Sequence, residues 1–371
     1  MNGSLAFVNN WTYFTDRPED HFGQLTRTGP YAGTLQAFTT GVRLRTRYSH
    51  LVPSGRTTRF WASDSNRVIE TAKYFAAGFF DLNWESDGLA ALEVIPETAE
   101  READTLTPGD TCTNYVEDLE FGHDYGVNTL IEFHEVYIPA ISERLAVHNP
   151  NINFTNYDVF SMQEMCGFET LLHGSSSWCD VFTQDDWLHF EYARDLVHYY
   201  RGGPGNRFGP VMGWLWLNAT TELLLSPPEA GQLYFSFVHD GDIGPMLAAL
   251  DIFQDDFYDP KLPKGNIATD RKWRASQIMP MGGRIILERL SCPSTASEEG
   301  IENENLTKQF IRINVNDGII ALPGCNSGPG HSCPLAEFSE RVRLRGIEAG
   351  DFGTVCGLAD GHAKRISFLH Q

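Results

Sequence analysis

Apolar positions along the chain fall first into a helical rhythm. In residues 30–50, Leu35, Phe38, Val42 and Tyr48 recur at roughly helical spacing with Arg43, Arg45 and Arg47 between them, which predicts an amphipathic helix. A short apolar run at 59–62 then reads as a strand, Asp64, Ser65 and Asn66 as a turn, and 68–80 as a second helix. The region is one strand-turn-helix unit.

From about 110 to 226 the pattern changes. The segments 129–145, 158–172, 185–200 and 212–225 each carry apolar residues at spacings of three and four, and few strand candidates intervene, which predicts an all-helical insertion. The Gly- and Pro-rich stretch 201–210 punctuates its last two helices and is too short for a domain linker. Strand patterns return at 233–238, 283–290 and 310–322. In the last of these, Asp317-Gly318 between apolar runs predicts a hairpin whose glycine supplies the positive φ. The acidic, polar stretch 294–307 reads as an exposed loop.

At 371 residues, 42% hydrophobic and 21% charged, the chain is large enough for one domain with an insertion, and no run of eighteen apolar residues interrupts it. It reads as a protein that folds in water. Its formal charge of -21 at pH 7 argues against nucleic acid or an anionic membrane as partner, since both demand a positive field. An anionic small molecule would need a local basic pocket, and the general repulsion of anions fades as pH falls towards the pI near 4.9.

Seven cysteines are an odd number: Cys112, Cys166, Cys179, Cys292, Cys325, Cys333 and Cys356. Sequons for N-glycosylation begin at Asn2, Asn10, Asn153, Asn218 and Asn305, which together with the cysteines favours a secreted, oxidised protein. The first residues nevertheless lack the basic and apolar regions of a secretory signal.

Two places invite chemistry. The strand at 233–238 ends in His239-Asp240 and turns into a helix at Ile243, which puts an imidazole and a carboxyl at the carboxyl end of a strand, where open α/β sheets place ligands. A neutral imidazole can donate to a phosphate oxygen, and a protonated carboxyl can give its proton to a leaving oxygen. The structural alternative is a turn in which Asp240 caps the following helix. Arg67 likewise follows a strand at the start of a helix, where free N–H groups and a guanidinium suit phosphate, or pairs with Asp64 or Glu70 on the surface.

Taken in order, LAFVNNWTYF, TGPYAGTLQAF with LRTRYSHL, SDSNRVIETAKYFAAGFF, LTPGDTCT, MCGFETLL with WCDVFTQDDW, GGPGNRFGP, FVHDGDIGPMLAAL and MGGRIILERLSC resemble the histidine acid phosphatases, in their secreted phytase and acid phosphatase branch. The resemblance implies an α/β fold: a large domain with a central mostly parallel sheet flanked by helices, formed by residues 1–105 and 229–371, plus an all-helical insertion at 106–228. It implies hydrolysis of a small-molecule phosphomonoester, with phytate as one candidate, through a phosphohistidine and without cofactor or metal. Arg67 matches a phosphate-binding arginine, His239 a phosphate contact and Asp240 the proton donor. It further implies the pairs Cys112–Cys356, Cys166–Cys179 and Cys325–Cys333, with Cys292 unpaired.

The nucleophile of that family stands in R-H-G-x-R-x-P at a strand end, and no Arg-His-Gly triplet occurs in the 371 residues. None of the twelve histidines replaces it in context; His50, His123 and His173 come nearest. The resemblance puts that strand before Met1, so the expectation is an N-terminally incomplete, inactive chain of a secreted enzyme. A non-catalytic relative that keeps Arg67 and His239 as an anion site is the alternative. Cys325, His331 and Cys333 offer a third reading as a metal site, weakened by having only three ligands. A serine hydrolase is disfavoured because no G-x-S-x-G elbow occurs. Basic residues able to widen an anion site are Lys261, Lys264 and Arg271, whose position relative to Arg67 the sequence leaves open.

Overall fold

The computed structural model describes residues 1–15, 17, 27–255, 257–258, 261–293 and 307–371. Strand β1, Thr58–Ser63, is buried on both faces, as suits a parallel sheet covered by helices on each side. Phe60 and Ala62 pack to one side with Val68, Ala72, Phe75 and Phe79, while Trp61 packs to the other with Ile95, Leu215 and Phe368. Strand β2, Ala90–Ile95, lies parallel to β1 with Trp61 opposite Glu93. Strand β3, Ser236–Phe237, pairs in parallel on the other edge, Trp61 opposite Ser236. The order is β2-β1-β3.

A second, antiparallel sheet forms from β4, Ile285–Pro293, β5, Thr307–Val315, β6, Gly318–Ile320, and β7, Cys333–Pro334. The fold is α/β as expected, with a parallel sheet flanked by helices, and the antiparallel strands form a second sheet: among the described residues β3 ends one sheet and β4 ends the other. Both line one large cleft, with Phe235, Phe237, Ile285 and Leu287 half-buried along it. The strand pattern at 233–238 thus yields only two paired residues, and β2 is a strand the periodicity did not single out.

The hairpin at 315–318 corrects the turn chemistry. Val315 pairs directly with Gly318, so Asn316-Asp317 are the two turn residues, and they carry the positive φ values of 51° and 71°. Asparagine and aspartate tolerate that region. Asn316 repays the strain with hydrogen bonds: its Oδ1 accepts from the Arg284 N–H at 2.9 Å, and its Nδ2 donates to the Gln277 carbonyl at 2.6 Å.

Helix α1, Gly33–Tyr48, buries Thr34, Ala37, Gly41 and Leu44, whereas Leu35 and Val42 are exposed, so the apolar residues named from periodicity are not the buried stripe. The reason is the crossing with α2, Asn66–Phe79. A Cβ on Gly41 would lie 2.3 Å from the Phe75 carbonyl oxygen, and one on Gly78 2.1 Å from that of Phe38. Two glycines bring the backbones together, and the stripe on either side of Gly41 is what that contact covers.

Between β2 and β3 the chain is helical: α3, Tyr125–Ala146; α4, Asn156–His173; α5, Gln184–Arg201; and α6, Gly209–Leu225. Thr155 and Thr183 open α4 and α5 with capping boxes closed by Asp158 and Asp186. Phe133, Ile138, Tyr192 and Leu196 are fully buried between these helices. After β3 come α7, Asp240–Leu250, and, beyond the second sheet, α8, Leu335–Ala349, and α9, Phe352–Cys356. Among the described residues no helix is long and apolar enough to cross a membrane.

Disulfides join Cys112 to Cys356, Cys166 to Cys179 and Cys325 to Cys333, and Cys292 on β4 carries a free thiol. With Cys325 and Cys333 oxidised, the donor set suggested around His331 has no thiolates left to bind a metal. Of the sequon asparagines, Asn2, Asn10 and Asn153 are exposed, Asn218 is half-buried on α6 with its amide donating to Glu222 at 3.2 Å, and Asn305 lies outside the described residues. The acidic stretch read as a loop also lies outside them, apart from Thr307.

Candidate phosphate site

Three parallel strands bring four candidate side chains to their carboxyl ends. After β1 the chain enters α2, whose second residue is Arg67; after β2 it reaches Glu97; after β3 it reaches His239 and Asp240. Arg67, His239 and Asp240 line the same cleft, of about 1550 Å³, so the structure brings together the residues singled out from sequence. The helix N-termini of α2 and α7 face it with their positive dipole ends.

His239 is tied down by a residue the sequence did not suggest. Its Nε2 lies 2.8 Å from Oε1 of Glu97, and both side chains are three-quarters buried. No sequence signal marks Glu97 beyond its place two residues after β2. The backbone N–H of His239 donates to Asp242 Oδ2 at 3.1 Å, closing the first turn of α7. It is therefore Asp242, and not Asp240, whose carboxylate caps the helix. Burial pushes the Asp242 carboxyl well above the usual range, with Asp110 and Glu97 adding to the rise and Arg201 and the His239 N–H opposing it.

Freed from capping, Asp240 projects into the cleft, exposed, with its Oδ1 accepting from the Gly241 N–H at 2.8 Å. Its Oδ2 stands 3.8 Å from Nε2 of His198, a buried histidine on α5. Burial raises the Asp240 carboxyl, but His198, Arg201, the Gly241 N–H and Arg194 together outweigh it and hold Asp240 below the usual aspartate range. Burial in turn pushes the His198 imidazole down to about 4, Arg194 and Arg201 pushing the same way and Asp240 opposing. His198 is thus neutral around pH 6. Helix α7 is held in place from below: a Cβ on Gly213 of α6 would fall 1.9 Å from the Pro245 carbonyl oxygen, so only glycine lets the two helices meet.

The cleft carries further cations. Arg47, Arg194, Arg284, Arg289 and Arg312 line it, several already engaged: Arg47 and Arg312 pair with Glu288 at 2.9 and 2.7 Å, and Arg289 donates to the Leu224 and Ser226 carbonyls. Lys261, Lys264 and Arg271 do not line it. Arg271 is buried against Asp195 and Glu191, and Lys264 pairs with Glu132 at 3.3 Å. Of the histidines weighed as nucleophiles, His50 lines the cleft, within the helical turn that follows α1; His123 pairs with Asp124. Among the described residues no cluster of His, Cys, Asp and Glu is disposed to hold a metal ion.

The arrangement can bind an oxyanion between Arg67 and the strand ends and present it to a carboxyl. Proteins similar in sequence and fold to this chain are phosphatases. A family model described as "Histidine phosphatase superfamily (branch 2)" matches residues 1–316. The chain is 32% identical over 372 residues to the phytase PHO112 of Candida albicans, covering 99% of this chain and 75% of that protein. It is 33% identical over 362 residues to the acid phosphatase PHO1 of Komagataella pastoris, covering 96% and 72%. The crystal structure of the phytase from D. castellii superposes with a TM-score of 0.85 at 29% identity, covering 99% of this chain and 75% of that one. A multiple inositol polyphosphate phosphatase from Bifidobacterium longum shares the fold, with a TM-score of 0.65 at 13% identity over 98% of this chain and 89% of that one.

Proposed function

The chain belongs to branch 2 of the histidine phosphatase superfamily, and from that membership we propose a site for phosphomonoesters in which Arg67 and His239 hold the phosphate and Asp240 donates a proton to the leaving oxygen. The single observation that carries this reading is the convergence of the three side chains on one cleft at the carboxyl ends of parallel strands. Arg67 offers a planar fork at a helix N-terminus, the geometry that suits a phosphate oxygen pair. His239, braced by Glu97, offers its ring face and edge to the same anion. Asp240 is the one carboxyl of the first turn of α7 left out of the cap, and a leaving oxygen needs a proton there as the P–O bond breaks.

The phosphohistidine route needs a nucleophilic histidine, and no Arg-His-Gly triplet stands in the 371 residues. On this reading the chain as it stands binds phosphate and turns over phosphomonoesters slowly or not at all, because the covalent step has no nucleophile of that kind. Phytate is the larger candidate substrate, supported by the size of the cleft and the arginines along it. Disulfide content and exposed sequons support a secreted, glycosylated form.

Calorimetric titration with inorganic phosphate, beside hydrolysis of p-nitrophenyl phosphate, tests the reading. Millimolar or tighter phosphate binding that Arg67→Ala weakens about tenfold or more is expected, with little turnover. Phosphate binding indifferent to Arg67→Ala and His239→Ala would overturn it.

A further inference from the structure

Asp240 presents a contradiction. A proton donor must carry a proton when the ester binds, yet its surroundings favour the carboxylate. The groups responsible sit in one row. Arg194, His198 and Arg201 are spaced by four and three along α5, which places them on one face of that helix. That face looks at the first turn of α7: His198 Nε2 is 3.8 Å from Asp240 Oδ2, and a Cβ added to Gly241 would meet the Arg201 guanidinium at 3.5 Å. Arg194 and His198 also line the cleft that Arg67 and His239 line, so an anion bound there shares their field with Asp240.

We propose that this row loads Asp240 with its proton in response to the anion: Arg194 and Arg201, with the neutral His198 between them, keep the carboxyl ionised in the resting cleft, and a phosphate group entering beside them draws on the charge of the two arginines and causes Asp240 to take up a proton from solvent. The proposal rests on the reading of Asp240 as proton donor. The three residues act through Asp240 and not on the substrate's reacting bond, so they are positioning residues.

The charges around the carboxyl support the sign. On α5 the row holds Asp240 low, and the helix N-terminus of α7 works with it. Against it stands the burial of the carboxyl, and Glu164 on α4 engages Arg194 at 3.6 Å. An anion bound beside the row acts directly against it. A unit charge about 5 Å away in a partly wet cleft interacts by a few kcal/mol, on the order of one to two pH units in a titration midpoint. The proton balance closes. Solvent supplies one proton as phosphate binds; the Asp240 O–H gives it to the leaving oxygen as the P–O bond breaks; the carboxylate left behind is again held by the row.

The device differs from a donor kept protonated by burial. A buried acid is loaded whether or not substrate is present, whereas this one loads only on an occupied cleft, and water entering the empty site meets a carboxylate.

The test is the titration of the Asp240 carboxyl by carbon NMR in the 371-residue chain with labelled aspartate, assigned through Asp240→Asn, with and without inorganic phosphate. Phosphate is expected to raise the Asp240 midpoint by about one pH unit or more, tenfold in proton affinity. Arg201→Gln is expected to raise it without phosphate, and Arg194→Gln serves as a second variant should Arg201→Gln fold poorly. Calorimetry in two buffers of different ionisation enthalpy should show protons taken up with phosphate near pH 5, and fewer in either variant. If phosphate moves the His239 ring signals while the Asp240 midpoint stays put, the phosphate site stands and the loading proposal falls. If phosphate moves neither, both fall. A midpoint unchanged in the arginine variants also overturns the proposal.

Discussion

His239 Nε2 and Glu97 Oε1 meet at 2.8 Å, joining the ends of two strands that flank β1 on opposite sides. The contact fixes the imidazole at the rim of the sheet, and it also sets a carboxylate next to a site proposed for an anion.

Removing that charge while keeping the shape should help phosphate. Glu97→Gln retains a side chain able to hydrogen-bond the imidazole and deletes one negative charge near the anion. Inorganic phosphate is expected to bind about three- to tenfold tighter to Glu97→Gln at pH 6, a gain of about 1 kcal/mol, in a calorimetric titration. Weaker binding would show that Glu97 serves chiefly to orient His239.

The neutral His198 makes stability depend on pH in a direction that can be worked out. Burial lowers its folded pKa from 6.5 to about 4, so between those values the unfolded chain binds a proton that the folded chain does not. Stability from this group is therefore full above about pH 6.5 and lost as pH falls towards 4, by up to about 3 kcal/mol. The raised carboxyl of Asp242 slopes the opposite way, so the difference between native chain and His198→Gln isolates the imidazole. Urea unfolding at several pH values should show the native advantage over His198→Gln shrinking as pH drops from 6.5 to 4.

The crossing of α1 and α2 should tolerate no side chain. A Cβ on Gly78 would stand 2.1 Å from the Phe38 carbonyl oxygen, closer than any contact can be, and the obstacle is backbone. Gly78→Ala is expected to destabilise the protein by about 1–3 kcal/mol or more despite alanine's better helix propensity, measured as a fall in urea midpoint. Arg67, at the start of the displaced α2, should then bind phosphate less well.

Arg271 and Asp195 form a fully buried ion pair, with the Ala275 N–H also donating to Asp195. Arg271→Met leaves a carboxyl buried without its cation and is expected to cost about 3–5 kcal/mol in chemical unfolding. Replacing both, Arg271→Met with Asp195→Leu, should recover much of the loss, since an apolar pair of similar size has no charge to desolvate.

Several elements were legible in the sequence because their signals are local. The apolar periodicity of α3 to α6 and the step from strand to helix at Val238, His239 and Asp240 depend on neighbours within a few residues. Other elements misled for the complementary reason. Leu35 and Val42 have helical spacing but face solvent, because Gly41 and Gly78 decide which side of α1 is covered, and Gly78 lies 37 residues away. Asp317-Gly318 is a good turn signal, yet the register Val315 to Gly318 shifts the turn back by one residue onto Asn316-Asp317.

The same division runs through the site. Sequence alone determined that Arg67, His239 and Asp240 stand at strand ends, since residue type and position after an apolar run suffice for that. Only the tertiary structure decided what each meets there. Glu97 reaches His239 across 142 residues and His198 reaches Asp240 from α5, and nothing in the local chain around either pair announces the other. Hydrophobic periodicity encodes which way a side chain faces relative to its own backbone. The charge that faces it is set by how helices and strands distant in sequence are packed, and that packing, through Gly213 of α6 against Pro245 of α7 and the row on α5 beside it, fixes which carboxyl caps a helix and which projects into the cleft.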